Sequence, residues 1–152
     1  MRALIQRVSA AQVSVDGQVV SAIGRGLLVL VGIHKHDTEA DGDWLARKLV
    51  ALRIFEDDEG KMGRSAQDLG AALLIVSQFT LYGSLRKGTR PDFGDSMPGA
   101  QAKSFYAAWV AKLRQSCNLE IKEGVFAAKM AVQLVNDGPV TIMLDSRKQQ
   151  EE

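Results

Sequence analysis

Ala72-Leu73-Leu74-Ile75-Val76-Ser77-Gln78-Phe79-Thr80-Leu81 is the stretch on which the reading of this chain turns. Five consecutive apolar residues predict a strand buried on both faces. The abrupt change at Ser77-Gln78 marks its end, the place where sheets commonly present polar groups for chemistry. Gly26-Leu27-Leu28-Val29-Leu30-Val31-Gly32-Ile33 is a second buried strand of the same kind.

Working outward, Ala3 to Val8 and Gln12 to Ala22 read as strands. The latter folds at Asp16-Gly17, a dipeptide suited to the positive φ of a tight hairpin. Thr38 with Asp41 marks a helix start, followed by Trp44, Leu45, Leu49 and Leu52 on one face. Arg53-Ile54-Phe55-Glu56 reads as a short strand stopped by the charged turn Asp57-Asp58-Glu59-Gly60. Tyr82 to Met97, rich in glycine and basic residues, reads as a functional loop. Pro98 opens a second amphipathic helix carrying Phe105, Ala108, Trp109 and Leu113. Leu119 to Lys122, Ala131 to Val135 and Val140 to Leu144 complete the strands, with Asn136-Asp137-Gly138-Pro139 as a turn between the last two. About seven or eight strands against two helices do not suit a doubly wound sheet. The expected class is mixed α+β, with two sheet layers and helices on one outer side.

The chain has 152 residues, 46% hydrophobic and 24% charged, which fits one domain over residues 1–145. Residues 146–152 read as a charged tail with too little apolar content to pack. No apolar run reaches the roughly 20 residues of a membrane span, and Met1 to Arg7 lacks a secretory apolar core, so a cytoplasmic home is expected. The single cysteine, Cys117, excludes an intrachain disulfide framework. Nineteen basic and eighteen acidic residues leave a net charge of +1, too little for a global field that grips nucleic acid. Contact with RNA must therefore be local, through a few placed side chains.

The chemistry open to the chain is limited by what it lacks. His34 and His36 are the only histidines, both in a strand-to-helix loop, which does not favour a hydrolytic triad. His34-x-His36-Asp37 has the look of a zinc half-site, yet lacks further converging ligands, so no metal is expected. No glycine-rich phosphate cradle occurs, and no cofactor is implied. Ser77 and Thr80 are three apart and point to opposite sides in extended backbone. Both face one pocket only if the chain turns at Phe79. The plainer alternative is that these hydroxyls satisfy backbone groups at a strand end. Amides near Phe79 and Thr80 are candidates to stabilise an oxyanion.

Ser77-Gln78-Phe79-Thr80-Leu81 and Asn136-Asp137-Gly138-Pro139, with Gly88-Thr89-Arg90-Pro91 and Phe126-Ala127-Ala128-Lys129-Met130, give the chain a resemblance to the D-aminoacyl-tRNA deacylases from about Met1 to Asp145. The resemblance implies a three-layer β/β/α homodimer that hydrolyses the ester of D-aminoacyl-tRNA and proofreads chirality in translation. It implies catalytic roles for Ser77, Gln78, Phe79 and Thr80, with the 2′-hydroxyl of the terminal adenosine assisting. By the same likeness Gly138-Pro139 is a cis step that enters the partner subunit's site, where its carbonyls hold the substrate α-amino group. An L side chain is then rejected by the main chain, while glycine, lacking a Cβ, is admitted. Arg86, Lys87 and Arg90 are expected to meet acceptor-stem phosphates, and Arg7 to brace the Gly-Pro step. Gly63-Arg64 departs from the family pattern, which commonly has asparagine there, so no role is carried onto Gly63. Two alternatives stand beside this reading: a noncatalytic RNA-binding module, and a hydrolase of another small acylated substrate.

Overall fold

The computed structural model describes residues 1–148, and the last four residues of the expected tail lie outside them. β1 (Arg2–Val15) is one long strand that turns at Asp16-Gly17, both at positive φ, into β2 (Gln18–Ile23). β3 (Gly26–Gly32) follows, then α1 (Glu39–Ala51), where the Asp41 carboxylate accepts from the Thr38 backbone amide at 2.9 Å, as the sequence led one to expect. A two-stranded ribbon of β4 (Phe55–Glu56) and β5 (Met62–Arg64) and the single turn α2 (Ala66–Leu69) lead into β6 (Ala72–Ser77). α3 (Gly99–Ser116), β7 (Ile121–Glu123) and β8 (Ala131–Asp145) complete the order.

β1 is the spine. Its first half pairs antiparallel with β3 from Arg2 to Val8, its second half with β2 from Ala11 to Val15, and β8 runs along its other side past both. β3 and β6 pair in parallel, as do β6 and β7. The sheet therefore folds over on itself rather than splitting in two. Leu28, Leu74 and Val76 pack inward against Val8, Ala11, Val13 and Ile23. The alternate residues Leu27, Val29, Leu73 and Ile75 face the helices, where Leu45 and Leu49 of α1 and Trp109 and Leu113 of α3 cover them. This is the expected β/β/α layering, and period two explains why β3 and β6 had to be apolar throughout. Gly42 lets the two helices touch: Trp109 Nε1 donates to its carbonyl at 2.9 Å, and a Cβ there would lie 2.8 Å from Trp109 Cδ1.

The structure corrects two expectations. Asn136 to Pro139 is not a turn between strands, because β8 passes straight through it; the irregularity appears instead as register shifts opposite Gln6 to Ala10. Side chains make this possible by taking up the displaced backbone groups. Asn136 Oδ1 accepts from the Val140 amide at 3.1 Å, Asn136 Nδ2 donates to Thr141 Oγ1 at 3.0 Å, and Arg7 Nε donates to the Asp137 carbonyl at 3.1 Å. Ser146, assigned from composition to an unpacked tail, is 1% exposed. It accepts from the Met1 amine at 2.6 Å and donates to Asp41 Oδ1 at 2.8 Å, so a hydroxyl is buried because its partners wait for it.

Candidate functional site

Ser77 closes β6 opposite Val31 of β3. The ladder extends one bond further, from the Gln78 amide to the Val31 carbonyl at 2.7 Å, and then the backbone coils into a single 3-10 turn over Phe79–Tyr82. The Leu81 amide bonds the Gln78 carbonyl at 3.2 Å and the Gly83 amide the Thr80 carbonyl at 2.9 Å. The chain thus turns at Phe79, as it must if Ser77 and Thr80 are to face one pocket. The Gln78 side-chain amide donates to the Thr80 hydroxyl, and Ser96 Oγ donates to the Phe79 carbonyl at 3.1 Å, fixing the turn from both sides. The first amides of such a turn, those of Phe79 and Thr80, have no intrahelical acceptor.

A cavity of about 530 Å³ opens beside this turn. Ser77, Gln78 and Phe79 form one wall, Phe126, Ala127 and Ala128 another, and Val31, Val76, Met97 and Ala102 contribute apolar surface between them. Two segments 49 residues apart in sequence thus meet around one space of the size that takes a small organic group. Ala127 holds a left-handed φ of 63°, uncommon for a residue with a Cβ. Thr80 is not part of the lining; its hydroxyl is occupied by Gln78. The apolar lining at Val31, Met97 and Ala102 escaped the sequence reading, because such residues look the same whether they cover a core or a substrate.

Gly138-Pro139 is a cis peptide on the outer strand, with both residues exposed. Neither residue lines the cavity of its own chain. The strands run β8-β1-β3-β6, and the step stands level with Arg7 whereas Ser77 stands level with Ala3. Along the sheet the two are three strands and four residues apart. Arg7, 6% exposed, supports the step through the Asp137 carbonyl and is itself anchored on the Ile54 carbonyl at 2.7 Å.

Of the three loop cations, Arg86 alone lines a second, polar pocket, together with Arg2, Tyr82, Arg147 and Lys148; Lys87 and Arg90 lie apart from it, exposed. His34 stands at its side, with its ring edge on Tyr82 at 5.2 Å between centroids. Burial and the charge of Arg147 hold the His34 imidazole below its ordinary pKa.

Comparison with known proteins decides what this arrangement belongs to. The sequence profile described as D-Tyr-tRNA(Tyr) deacylase matches residues 4–145. The chain belongs to the D-Tyr-tRNA(Tyr) deacylase family. It is 53% identical over 148 residues to the D-aminoacyl-tRNA deacylase of Desulfitobacterium hafniense (strain DSM 10664 / DCB-2), covering 97% of this chain and 99% of that protein. To the D-aminoacyl-tRNA deacylase of Opitutus terrae it is 55% identical over 146 residues, covering 96% and 97%. Among solved structures, one titled c-Myc DNA Unwinding Element Binding Protein superposes with a TM-score of 0.91 at 46% identity, over 95% of this chain and 98% of that one. A probable eukaryotic D-amino acid tRNA deacylase superposes at 0.73 with 20% identity, over 94% and 97%, and shares the fold. A deacylase of this family is a hydrolase of aminoacyl esters on tRNA, and its mixed α+β fold is the one read from the sequence. No helix among the described residues is long and apolar enough to cross a membrane.

Proposed function

We propose that the chain clears D-amino acids from tRNA as a homodimer, with the ester held in the cavity of one subunit and its α-centre read by Gly138-Pro139 of the other. The observation that carries this reading is the separation of the two motifs. Ser77-Gln78-Phe79 lines the cavity, while Gly138-Pro139 stands exposed on an outer strand, three strands away along the sheet and outside the cavity lining. If both act on one substrate, they come from two copies.

The chemistry asked of the protein is modest. Water adds to the ester carbonyl, the bond from that carbon to the ribose oxygen breaks, and the oxygen leaves with a proton as the tRNA hydroxyl. An aminoacyl ester is already activated by its α-ammonium, so positioning and charge stabilisation supply most of the help. The Phe79 amide, at the cavity wall, is suited to the developing oxyanion with the Thr80 amide next to it in the turn, and the adenosine 2′-hydroxyl to assisting the water. A Thr80 nucleophile is not needed, and the Gln78 contact engages its hydroxyl.

Chirality requires a fixed frame, because enantiomers offer identical groups. The bonds from Arg7 and Asn136 hold the backbone on either side of Gly138-Pro139, and main-chain carbonyls held this way bind an α-amino group without yielding to an L side chain. Glycine escapes that exclusion and is hydrolysed too.

Hydrolysis of D-charged, L-charged and glycyl tRNA, compared with a free D-amino acid ester, tests the reading. D-aminoacyl and glycyl tRNA are cleaved, and L-aminoacyl tRNA is spared. Preference for the free ester overturns it in favour of another acyl hydrolase, and binding without turnover in favour of an RNA-binding module. Mixing a Gln78→Ala chain with a Gly138→Val chain tests the shared site: activity returns in the mixture if two copies build it, and stays lost if one does.

A further inference from the structure

The polar pocket behind the 3-10 turn has no part in the chemistry above, yet it is built around unspent positive charge. Arg2 Nε is paired with Asp145 Oδ2 at 2.9 Å, and the pocket's other carboxylate, Asp95, is paired with Lys35 at 2.9 Å. Arg147 has only a 3.6 Å approach to Asp37, and among the described residues no ion pair involves Arg86 or Lys148. Both carboxylates are thus neutralised by their own partners, and among the described residues Arg86 and Lys148 line the pocket unpaired, with Arg147 beside them held only by its long contact to Asp37.

A second, independent observation lies in Tyr82. The Arg2 guanidinium stacks 4.5 Å over its ring, His34 meets it edge-on, and the residue is 4% exposed. Its hydroxyl is buried and has no hydrogen-bond partner among the described residues. A buried hydroxyl rarely goes unused, and among the described residues the one other buried side-chain atom without a hydrogen bond is Asp37 Oδ1, so this donor is open to an acceptor that a ligand brings. Desolvation together with Asp37 and Asp145 raises its pKa, so it remains a donor.

We propose that this pocket is a phosphodiester subsite: Arg86, Arg147, Lys148 and the Tyr82 hydroxyl hold a backbone phosphate of the RNA strand whose aminoacylated end lies in the cavity. The inference rests on the tRNA reading above and deepens it. Position supports the link, because Phe79 lines the cavity and Tyr82 the pocket, three residues and roughly 6 Å apart along one turn. A strand leaving the cavity over the turn meets the cations next. Chemistry supports it as well, since phosphate oxygens accept only, and the pocket offers donors of the kind that position nucleic-acid backbones. Lys87 and Arg90, outside the pocket, carry less of the binding than Arg147 and Lys148, which stand where composition foretold an unpacked tail.

The test compares two substrates and one equilibrium. Turnover of D-aminoacyl-tRNA and of D-aminoacyl-adenosine, which has no phosphate, is measured for wild type, for Arg147→Ala with Lys148→Ala, for Tyr82→Phe, and for Lys87→Ala with Arg90→Ala. Binding of uncharged tRNA is followed against salt. The Arg147/Lys148 pair is expected to raise KM about tenfold more on tRNA than on the adenosine ester, and to flatten the log K against log salt slope by about 1 to 2. Tyr82→Phe, which keeps the ring, gives a smaller loss of the same kind, and the Lys87/Arg90 pair a loss under about threefold. Equal losses on both substrates, an unchanged slope, or a larger effect from Lys87/Arg90 overturns the subsite. Wild type inactive on every aminoacyl ester, with the slope still falling in the Arg147/Lys148 variant, overturns the deacylase reading while leaving the phosphate site standing.

Discussion

Arg7 Nε donates to the main-chain carbonyl of Asp137 at 3.1 Å, joining the middle of the central strand to the residue that precedes Gly138-Pro139. The same guanidinium holds the Ile54 carbonyl at 2.7 Å and lies 3.5 Å from Asp137 Oδ2. One buried cation therefore ties three segments together, and the exposed step borrows its rigidity from the interior.

Arg7→Ala leaves two carbonyls without their donor and opens space under the step. We expect about 2 to 3 kcal/mol of lost stability in urea unfolding, with a larger relative loss in D-over-L selectivity than in tRNA binding. Arg7→Lys recovers part of the stability but not the selectivity, because one ammonium does not reproduce the planar fork. Selectivity intact in Arg7→Ala would show that the step needs no brace.

Gly138 has φ 129°, and a Cβ there would lie 2.9 Å from Val140 Cγ2 and 3.0 Å from an Arg7 guanidinium nitrogen. Gly138→Ala is expected to cost about 1 to 3 kcal/mol and to disturb the carbonyl just ahead of Pro139. Deacylation of D-charged tRNA should fall well beyond tenfold while circular dichroism shows the fold retained. A fully active, stable Gly138→Ala chain contradicts the assignment of Gly138 to the substrate.

Thr80→Ala removes the hydroxyl that Gln78 holds and leaves the Thr80 amide in place. A main-chain mechanism predicts kcat within about tenfold of wild type, or less than roughly 1.4 kcal/mol in the barrier. Complete loss, with tRNA binding and folding unchanged, makes Thr80 a nucleophile.

Burial opposes ionisation of Asp41, but the bonds from the Thr38 amide, the Ser146 hydroxyl and the Thr38 hydroxyl outweigh it and hold the carboxyl below its ordinary value of 3.8. A depressed carboxyl contributes stability that is fully present above the unfolded value and is lost as pH falls through the folded one. Urea midpoints are therefore expected to drop in wild type as pH falls from about 5 to about 3, and to drop less in Asp41→Asn. Parallel midpoints for the two proteins count against this linkage.

Much of the scaffold was legible in the residues. Unbroken apolar runs identified β3 and β6, Asp16-Gly17 the first hairpin, and Thr38 with Asp41 the start of α1, because each depends on forces local to a few positions. Gly138-Pro139 was misread as a turn because the features that keep β8 going, Arg7 from β1 and the Asn136 bonds, are tertiary and have no local signature. Ser146 was misread for the same reason: composition says nothing of an amine and a carboxylate arriving from elsewhere. At the cavity, the Ser77-Gln78-Phe79 wall was placed from its strand end, while Ala127 at left-handed φ gave no warning because that conformation is uncommon for a residue with a Cβ.

Strands that are oily on both sides can slide past one another without exposing anything to water, so hydrophobicity alone does not fix where β3 and β6 sit relative to each other. Gly26 helps to: a methyl on its α-carbon would run into the carbonyl of Ala72, and a slip by one residue from the observed alignment would bring Arg25 or Leu27 to that spot. That alignment, carried along the pair, delivers Ser77 to Val31 at the opposite tip. The address of the reactive loop is thus written at the end of the sheet farthest from it, by an atom that is missing.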